Sequence, residues 1–228
     1  MTTSTKNLSE LLPRLPLFQA LGEREIEQLS SSARRIEIPK QHRIYNAGDS
    51  SDTIYILNRG IVKIGRHSQE GREVIKQIVH PVSIFGEMGL VGEQERQSFA
   101  MAMNNEIVLY VFSVREIQEL LRSNAQLSIE MLKYFGKRLR RTESRLESLI
   151  FKDARERIID FLKDAARKRG ERVGYETLIR HSLTQQDIAN ITGTSRQTVT
   201  SVLNDLRKSN LIYFNRRSIL IRDLTKLS

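Results

Sequence analysis

The 228-residue chain carries 37 Lys and Arg against 27 Asp and Glu, a formal charge of +10. Residues 151–228 hold 16 of those cations but only 9 of the anions, so the basic excess is densest in the last third, and it favours a polyanionic partner over a pocket for acidic substrates. Cysteine is absent, which excludes disulfides, thiolate nucleophiles and Cys-held zinc or iron–sulfur clusters. No apolar run approaches the roughly 20 residues of a membrane-crossing helix, and the polar start Met1-Thr2-Thr3-Ser4-Thr5-Lys6 lacks the apolar core of a secretory signal. The expectation is a cytoplasmic protein of two domains.

An amphipathic opening (Leu8, Leu11, Leu12, Leu15, Phe18, Leu21) gives way near Ala33 to short apolar runs separated by turn residues. Such runs read as strands. They are expected at Arg34–Ile38, Thr53–Leu57, Ile61–Arg66, Glu73–Val79, Phe99–Met103 and Ile107–Phe112, with turns at Asn46-Ala47-Gly48-Asp49, Gln69-Glu70-Gly71-Arg72 and His80-Pro81. Short strands at roughly ten-residue spacing predict an antiparallel jelly roll.

From Ser113 to about Arg169 the pattern is helical, with one break expected near Ser123-Asn124. Within it Leu132, Phe135, Leu139, Thr142, Leu146 and Leu149 alternate spacings of three and four, the seam of a heptad repeat. The other faces carry Lys137, Arg138, Arg140, Arg141, Glu143, Arg145 and Glu147. A narrow apolar stripe on a polar rod needs a partner, either the same helix of a second subunit or the body of its own domain. Thr142, the one polar seam residue, is a register device or a ligand contact at the subunit junction.

The strongest local signal runs from Thr184 to Leu206 and predicts two short helices joined at Gly193. Thr184 with Asp187, and Thr194 with Gln197, are spaced as N-caps with their partners three residues on. A tight helix–helix corner needs a positive φ, which glycine accepts, and the small Ala189 lets the helices approach. Ile188, Val199, Val202, Leu203 and Leu206 form the apolar face. Ser195, Arg196, Gln197, Thr200 and Ser201 stay exposed at the start of the second helix, with donors and acceptors suited to base edges. Arg196 can bond guanine O6 and N7 together, and Gln197 can pair with adenine; Thr184 and Ser195 suit phosphate. Strands Leu211–Phe214 and Ser218–Ile221 flank Asn215-Arg216-Arg217, a basic turn that completes a winged helix-turn-helix reading double-stranded DNA.

Taken together, these features resemble the Crp/Fnr family of bacterial regulators over nearly the whole chain. Leu183-Thr184-Gln185-Gln186-Asp187-Ile188-Ala189 and Gly193-Thr194-Ser195-Arg196-Gln197-Thr198-Val199 are similar to its recognition segment, although Gln197 stands where the family commonly has glutamate and Ser201 where it often has arginine. Phe85-Gly86-Glu87-Met88-Gly89-Leu90 with Arg96 is similar to the family's phosphate-binding cassette. The resemblance implies an α+β architecture. Residues 1–122 would form an effector-sensing β jelly roll, 123–150 a dimerisation helix, and 151–228 a winged helix-turn-helix.

It also implies a homodimer on a palindromic operator, RNA polymerase as a further partner, and cyclic AMP or cyclic GMP as the candidate effector. The effector would be held by Gly86, Glu87, Met88, Arg96, Gln97 and Thr142, with a glutamate for the ribose hydroxyl and an arginine for the phosphate. Gln97 and Glu143 depart from the Ser or Thr and the Ser of cyclic-AMP binders, so another metabolite, or constitutive action with Glu87 and Arg96 as a structural ion pair, stands as the alternative. Haem through His42, His67, His80 or His181 finds no paired ligand spacing. A jelly-roll metal enzyme would need a His, His, Glu cluster, and the sequence offers no such set and no catalytic dyad.

Overall fold

The computed structural model describes residues 3–227; Met1 and Thr2, at the head of the polar start, lie outside them. The chain divides into two compact units, residues 1–66 with 76–141, and residues 67–75 with 142–228.

Helices α1 (Thr3–Leu11) and α2 (Glu23–Ser32) precede eight strands, which lie in the first unit except for the tip of the β4–β5 hairpin, residues 67–75: β1 (Arg34–Ile38), β2 (Arg43–Tyr45), β3 (Thr53–Arg59), β4 (Val62–His67), β5 (Glu73–Val79), β6 (Ser83–Phe85), β7 (Phe99–Ala102) and β8 (Ile107–Ser113). They form two four-stranded sheets, β1-β8-β3-β6 and β2-β7-β4-β5, in which every paired register described is antiparallel. The six expected strands are present within two residues at either end, and β2 and β6, three residues each, are additional.

Strand β8 is a continuous apolar run with both faces buried. On one side Tyr110 and Phe112 join Ile54, Ile56 and Ile84 in a core closed by Leu8, Leu11, Leu12, Leu15, Phe18 and Leu21. On the other, Ile107, Leu109 and Val111 pack with Tyr55, Leu57, Val62 and Ala100. The leucines of the amphipathic opening thus cover a sheet face that would otherwise leave apolar surface in water.

Helix α3 (Val114–Ser123) begins at Ser113, whose hydroxyl accepts from Glu116 N, and ends at Asn124, where the break was expected. Helix α4 (Ala125–Phe151) follows. A second, unexpected break separates it from α5 (Ala154–Arg169), because Asp153 caps the new helix: its carboxylate accepts from Glu156 N while Glu156 accepts from Asp153 N. On α4, Phe135 packs on the β-roll core, but Leu132, Leu139, Leu146 and Leu149 are 72, 61, 59 and 53% exposed. The body of the chain does not cover that stripe.

The second unit packs α5, α6 (Gln185–Thr192) and α7 (Arg196–Lys208) with a sheet of order β11-β12-β10-β9. The wing strands β11 (Ile212–Phe214) and β12 (Ser218–Ile221) stand as expected; the hairpin β9 (Glu171–Val173) and β10 (Glu176–Arg180) was not anticipated.

Candidate DNA-reading surface and effector site

Thr184 caps α6: its hydroxyl accepts from Asp187 N at 3.1 Å and donates to Asp187 Oδ2 at 2.7 Å, and its own N–H donates to the same oxygen. Gly193 ends the helix at φ +65° and donates to Ala189 O. The second cap is Ser195, not Thr194, and this corrects the expected register. The left-handed corner keeps Thr194 in the turn, its N–H donating back to Ala189 O, and the helix starts one residue later, where the Ser195 hydroxyl accepts from Thr198 N at 3.0 Å. Ile188, Ala189, Val199, Val202, Leu203 and Leu206 are all buried, fixing the helix pair on its unit.

Ser195, Arg196, Gln197 and Ser201 are exposed. Thr200 is half-buried, and its hydroxyl is already shared between Gln185 Oε1 at 2.6 Å and Arg196 O at 2.9 Å, so it offers its methyl rather than a free donor. Arg196, Gln197, Thr200, Ser201 and Asn204 line one shallow, open depression. Asn204 did not figure among the sequence candidates, although it lies four residues beyond Thr200 on the same helical face. In the wing, Asn215 Oδ1 accepts from both Arg217 N and Ser218 N, holding Arg216 and Arg217 in a tight exposed turn.

In the first unit, Gly86 (φ +75°) stands at the start of a short 3₁₀ turn, Glu87–Val91. A Cβ at Gly86 would stand 3.0 Å from Tyr55 Cδ2 and 3.1 Å from Arg96 Nη1, and its positive φ strains any L side chain, so a substitution there would press on that guanidinium. Glu87 is 0% exposed and Arg96 3%. The Glu87–Arg96 ion pair considered from sequence is not formed. Instead Arg96 Nη1 donates to Gly86 O at 2.7 Å, Nη2 donates to the carbonyl and hydroxyl oxygens of Thr53, and the guanidinium lies 4.5 Å from the Tyr45 ring centre. Glu87 Oε1 accepts from Tyr134 OH at 3.0 Å and pairs with Arg138, both on α4. Neither α4 residue was among the sequence candidates, because their partner lies some fifty residues away in the chain.

Burial drives the electrostatics here. It pushes the Tyr45 hydroxyl up to about 12 against the opposing field of Arg96, pushes Tyr134 up to about 12, and lowers the Arg138 guanidinium. Lys76, bonded to Ser98 Oγ, is lowered by burial and then by the nearby Arg66. Among the described residues Glu87 Oε2 and Arg96 Nε are buried without a hydrogen-bond partner. An acceptor and a donor left over at one cradle suit a ligand with a hydroxyl and an anionic oxygen. Met88 is half-buried in the same turn, whereas Gln97 is exposed and donates to Glu95 O. Thr142 belongs to the second unit. Among the described residues no group of three His, Asp or Glu side chains is placed to hold a metal, and no helix is long and apolar enough to cross a membrane.

A capped helix pair around a left-handed glycine, with a basic wing and a β-roll holding a buried glutamate and arginine, defines a DNA-binding regulator with a nucleotide-binding-type sensory domain. Residues 35–124 match the cyclic nucleotide-binding domain and residues 156–228 the Crp-like helix-turn-helix domain. The chain is 30% identical to a CRP-like cAMP-activated global transcriptional regulator of Mycobacterium tuberculosis, over 97% of this chain and 98% of that protein. It is 27% identical to a global nitrogen regulator of Synechocystis, over 98% and 97%. A CooA mutant from Carboxydothermus hydrogenoformans superposes with a TM-score of 0.73 at 26% identity, covering 86% of this chain and 87% of that one. FixK2 from Bradyrhizobium japonicum shares the fold, with a TM-score of 0.76 at 21% identity over 86% and 95%. The chain belongs to the Crp/Fnr family of transcription regulators.

Proposed function

We propose that this protein is a homodimeric, operator-specific regulator, divided into a β-roll (1–122), a dimerisation helix (123–150) and a DNA-binding domain (151–228), that acts in the cytoplasm without enzymatic activity and meets RNA polymerase at its promoters. The observation that carries this reading is the polar face of α7: Arg196 and Gln197 stand exposed beside the cap Ser195, on a helix whose opposite face is buried. Arg196 reads guanine and Gln197 adenine, while Ser195, the N-terminal end of α6 after Thr184, and the wing arginines meet phosphate. Ser201 and the methyl of Thr200 complete the reading face. The four exposed seam leucines pair with those of a second copy, which places two recognition helices about one helical turn apart on the DNA.

Selection of bound duplexes from random DNA tests the reading, with a palindrome as the expected product. Arg196→Ala should then weaken operator binding by about 1–3 kcal/mol and relax preference at one position per half-site; uniform weakening across all sequences would make Arg196 a backbone contact instead.

For the effector, Gly86, Glu87, Met88 and Arg96 supply the cradle in which cyclic AMP or cyclic GMP would sit, its hydroxyl on Glu87, while Gln97 and Thr142 are contacts that the family resemblance alone suggests. A second reading, another metabolite or constitutive action, is favoured by one specific observation: Arg96 already spends both terminal nitrogens on the carbonyls of Gly86 and Thr53. Calorimetry with each cyclic nucleotide separates the two, and absence of heat from both with folded protein removes the nucleotide reading.

A further inference from the structure

The side chain of Arg157, in the first turn of α5, ends among three main-chain carbonyls. Its Nη1 donates to Lys152 O at 2.6 Å, its Nε to Thr192 O at 2.8 Å, and its Nη2 to Gly193 O at 3.2 Å. Lys152 immediately follows α4 and its N–H still donates to Ser148 O. Thr192 is the last residue of α6, and Gly193 is the corner of the helix-turn-helix. The carbonyls at a helix C-terminus lack intrahelical donors and form the negative end of its dipole. Here one half-buried guanidinium serves the ends of two helices at once. A planar fork with several fixed donors can do so, whereas the single ammonium of lysine cannot span the same three oxygens in one plane.

A second contact joins the same elements. A Cβ built on Gly193 would lie 3.0 Å from Leu149 Cδ2, so the last turn of α4 abuts the corner that Arg157 ties to it. Turning the helix-turn-helix relative to the end of the seam helix therefore breaks either the Lys152 bond or the two bonds to Thr192 and Gly193, and opens the Leu149 contact. Arg157 itself is remote from the exposed reading face of α7 in sequence, and each of its three guanidinium nitrogens donates to a main-chain carbonyl.

We infer that Arg157 is a positioning residue: it sets the angle at which the end of the seam helix presents the recognition helix, and through that angle the distance between half-sites that a dimer accepts. This rests on the dimeric, operator-reading function proposed above. Base preference within a half-site resides in α7 and is independent of the tie.

The experiment measures binding of full-length wild type, Arg157→Gln and Arg157→Lys to duplexes carrying two selected half-sites at a series of spacings, one base pair apart, around the helical repeat. Wild type should favour one spacing sharply. Arg157→Gln should reduce that preference by about fivefold or more, the scale on which coupled sites respond when their link is cut, with preference at each base unchanged; Arg157→Lys should fall between. A purely structural role would lower affinity at all spacings alike, and that result overturns the inference. Should Arg157→Gln fail to fold, Arg157→Lys decides by the same ratio. A wild type indifferent to spacing would remove the dimeric reading together with the inference, whereas spacing preference retained in the variants removes the inference alone.

Discussion

Gly193→Ala tests the helix-turn-helix corner by a perturbation whose size can be worked out. At φ +65° and ψ 44° the residue is left-handed, a conformation that costs an L-residue about 1–2 kcal/mol. The new Cβ would also stand 3.0 Å from Leu149 Cδ2, inside the ~3.5–4.0 Å optimum for carbon pairs. Leu149 is 53% exposed and can swing aside, so the steric part should be small. The expected net loss is about 1–2 kcal/mol, dominated by backbone conformation. Asparagine tolerates the left-handed region better than alanine, and a β-branched residue fits worst, so stability should fall in the order Gly, Asn, Ala, Val. Urea unfolding followed by circular dichroism measures the series, in wild type and in a Leu149→Ala background. The reasoning is refuted if Gly193→Ala equals or exceeds wild type. It also fails if the alanine penalty vanishes once Leu149 is shortened, because the cost would then be steric.

Arg138→Ala should destabilise the first unit by roughly 1–3 kcal/mol, less than a fully buried pair because the Arg138 side chain is 36% exposed. Glu87→Gln in that background should recover part of the loss, a coupling that a double-mutant cycle reads directly. The His181 imidazole, bonded through Nδ1 to Leu183 O beside a cavity of about 10 Å³ lined by Phe161, Leu162, Arg169 and Ile219, is held below its usual range first by burial and further by Arg169, against the Leu183 carbonyl. The unfolded chain then binds a proton before the folded one, so stability is full above the ordinary histidine value of ~6.5 and declines as pH falls through it. Thermal melts should show this acid loss in wild type and its reduction in His181→Phe; parallel profiles would exclude His181 as the source. Leu139→Glu with Leu146→Glu should convert a dimer to a folded monomer in sedimentation and abolish binding to paired half-sites, and a dimer that survives both substitutions would place its interface elsewhere.

The features legible in the sequence are those whose causes are local. The helix-turn-helix lies within one contiguous segment, where caps, corner glycine and apolar positions are set by spacing alone. Only the second cap is displaced by one residue, since the Gly193 corner keeps Thr194 in the turn. Strand β8 announces itself through an unbroken apolar run that the fold buries on both faces. Strands β2 and β6, at three residues, are too short to display a period of two, and β9 has every residue exposed, so no alternation marked it. The break at Asp153 was written as a cap with Glu156 three residues on, but within a run dense in charge that pair looks like any other solvated face.

The β-roll site was legible only in part, for a different reason. Gly86, Glu87 and Arg96 stand close in sequence and could be named together, yet what each does there is decided by residues far along the chain. Thr53 and Tyr45, on earlier strands, claim the Arg96 guanidinium, and Tyr134 and Arg138, on α4, claim Glu87. A ligand hydroxyl taken up by the unpartnered Glu87 Oε2 would share its carboxylate with the seam helix, whose Tyr134 and Arg138 hold Oε1. Occupancy and helix position are therefore linked through one buried carboxylate, and by linkage a ligand that prefers one arrangement of Arg138 must shift the helix toward it by its differential affinity and no more. If none binds, the Glu87–Arg138 pair holds the helix in a single setting. The same residues thus serve a switch or a fixed strut, and whether a hydroxyl on Oε2 alters the strength of the pair on Oε1 decides between them.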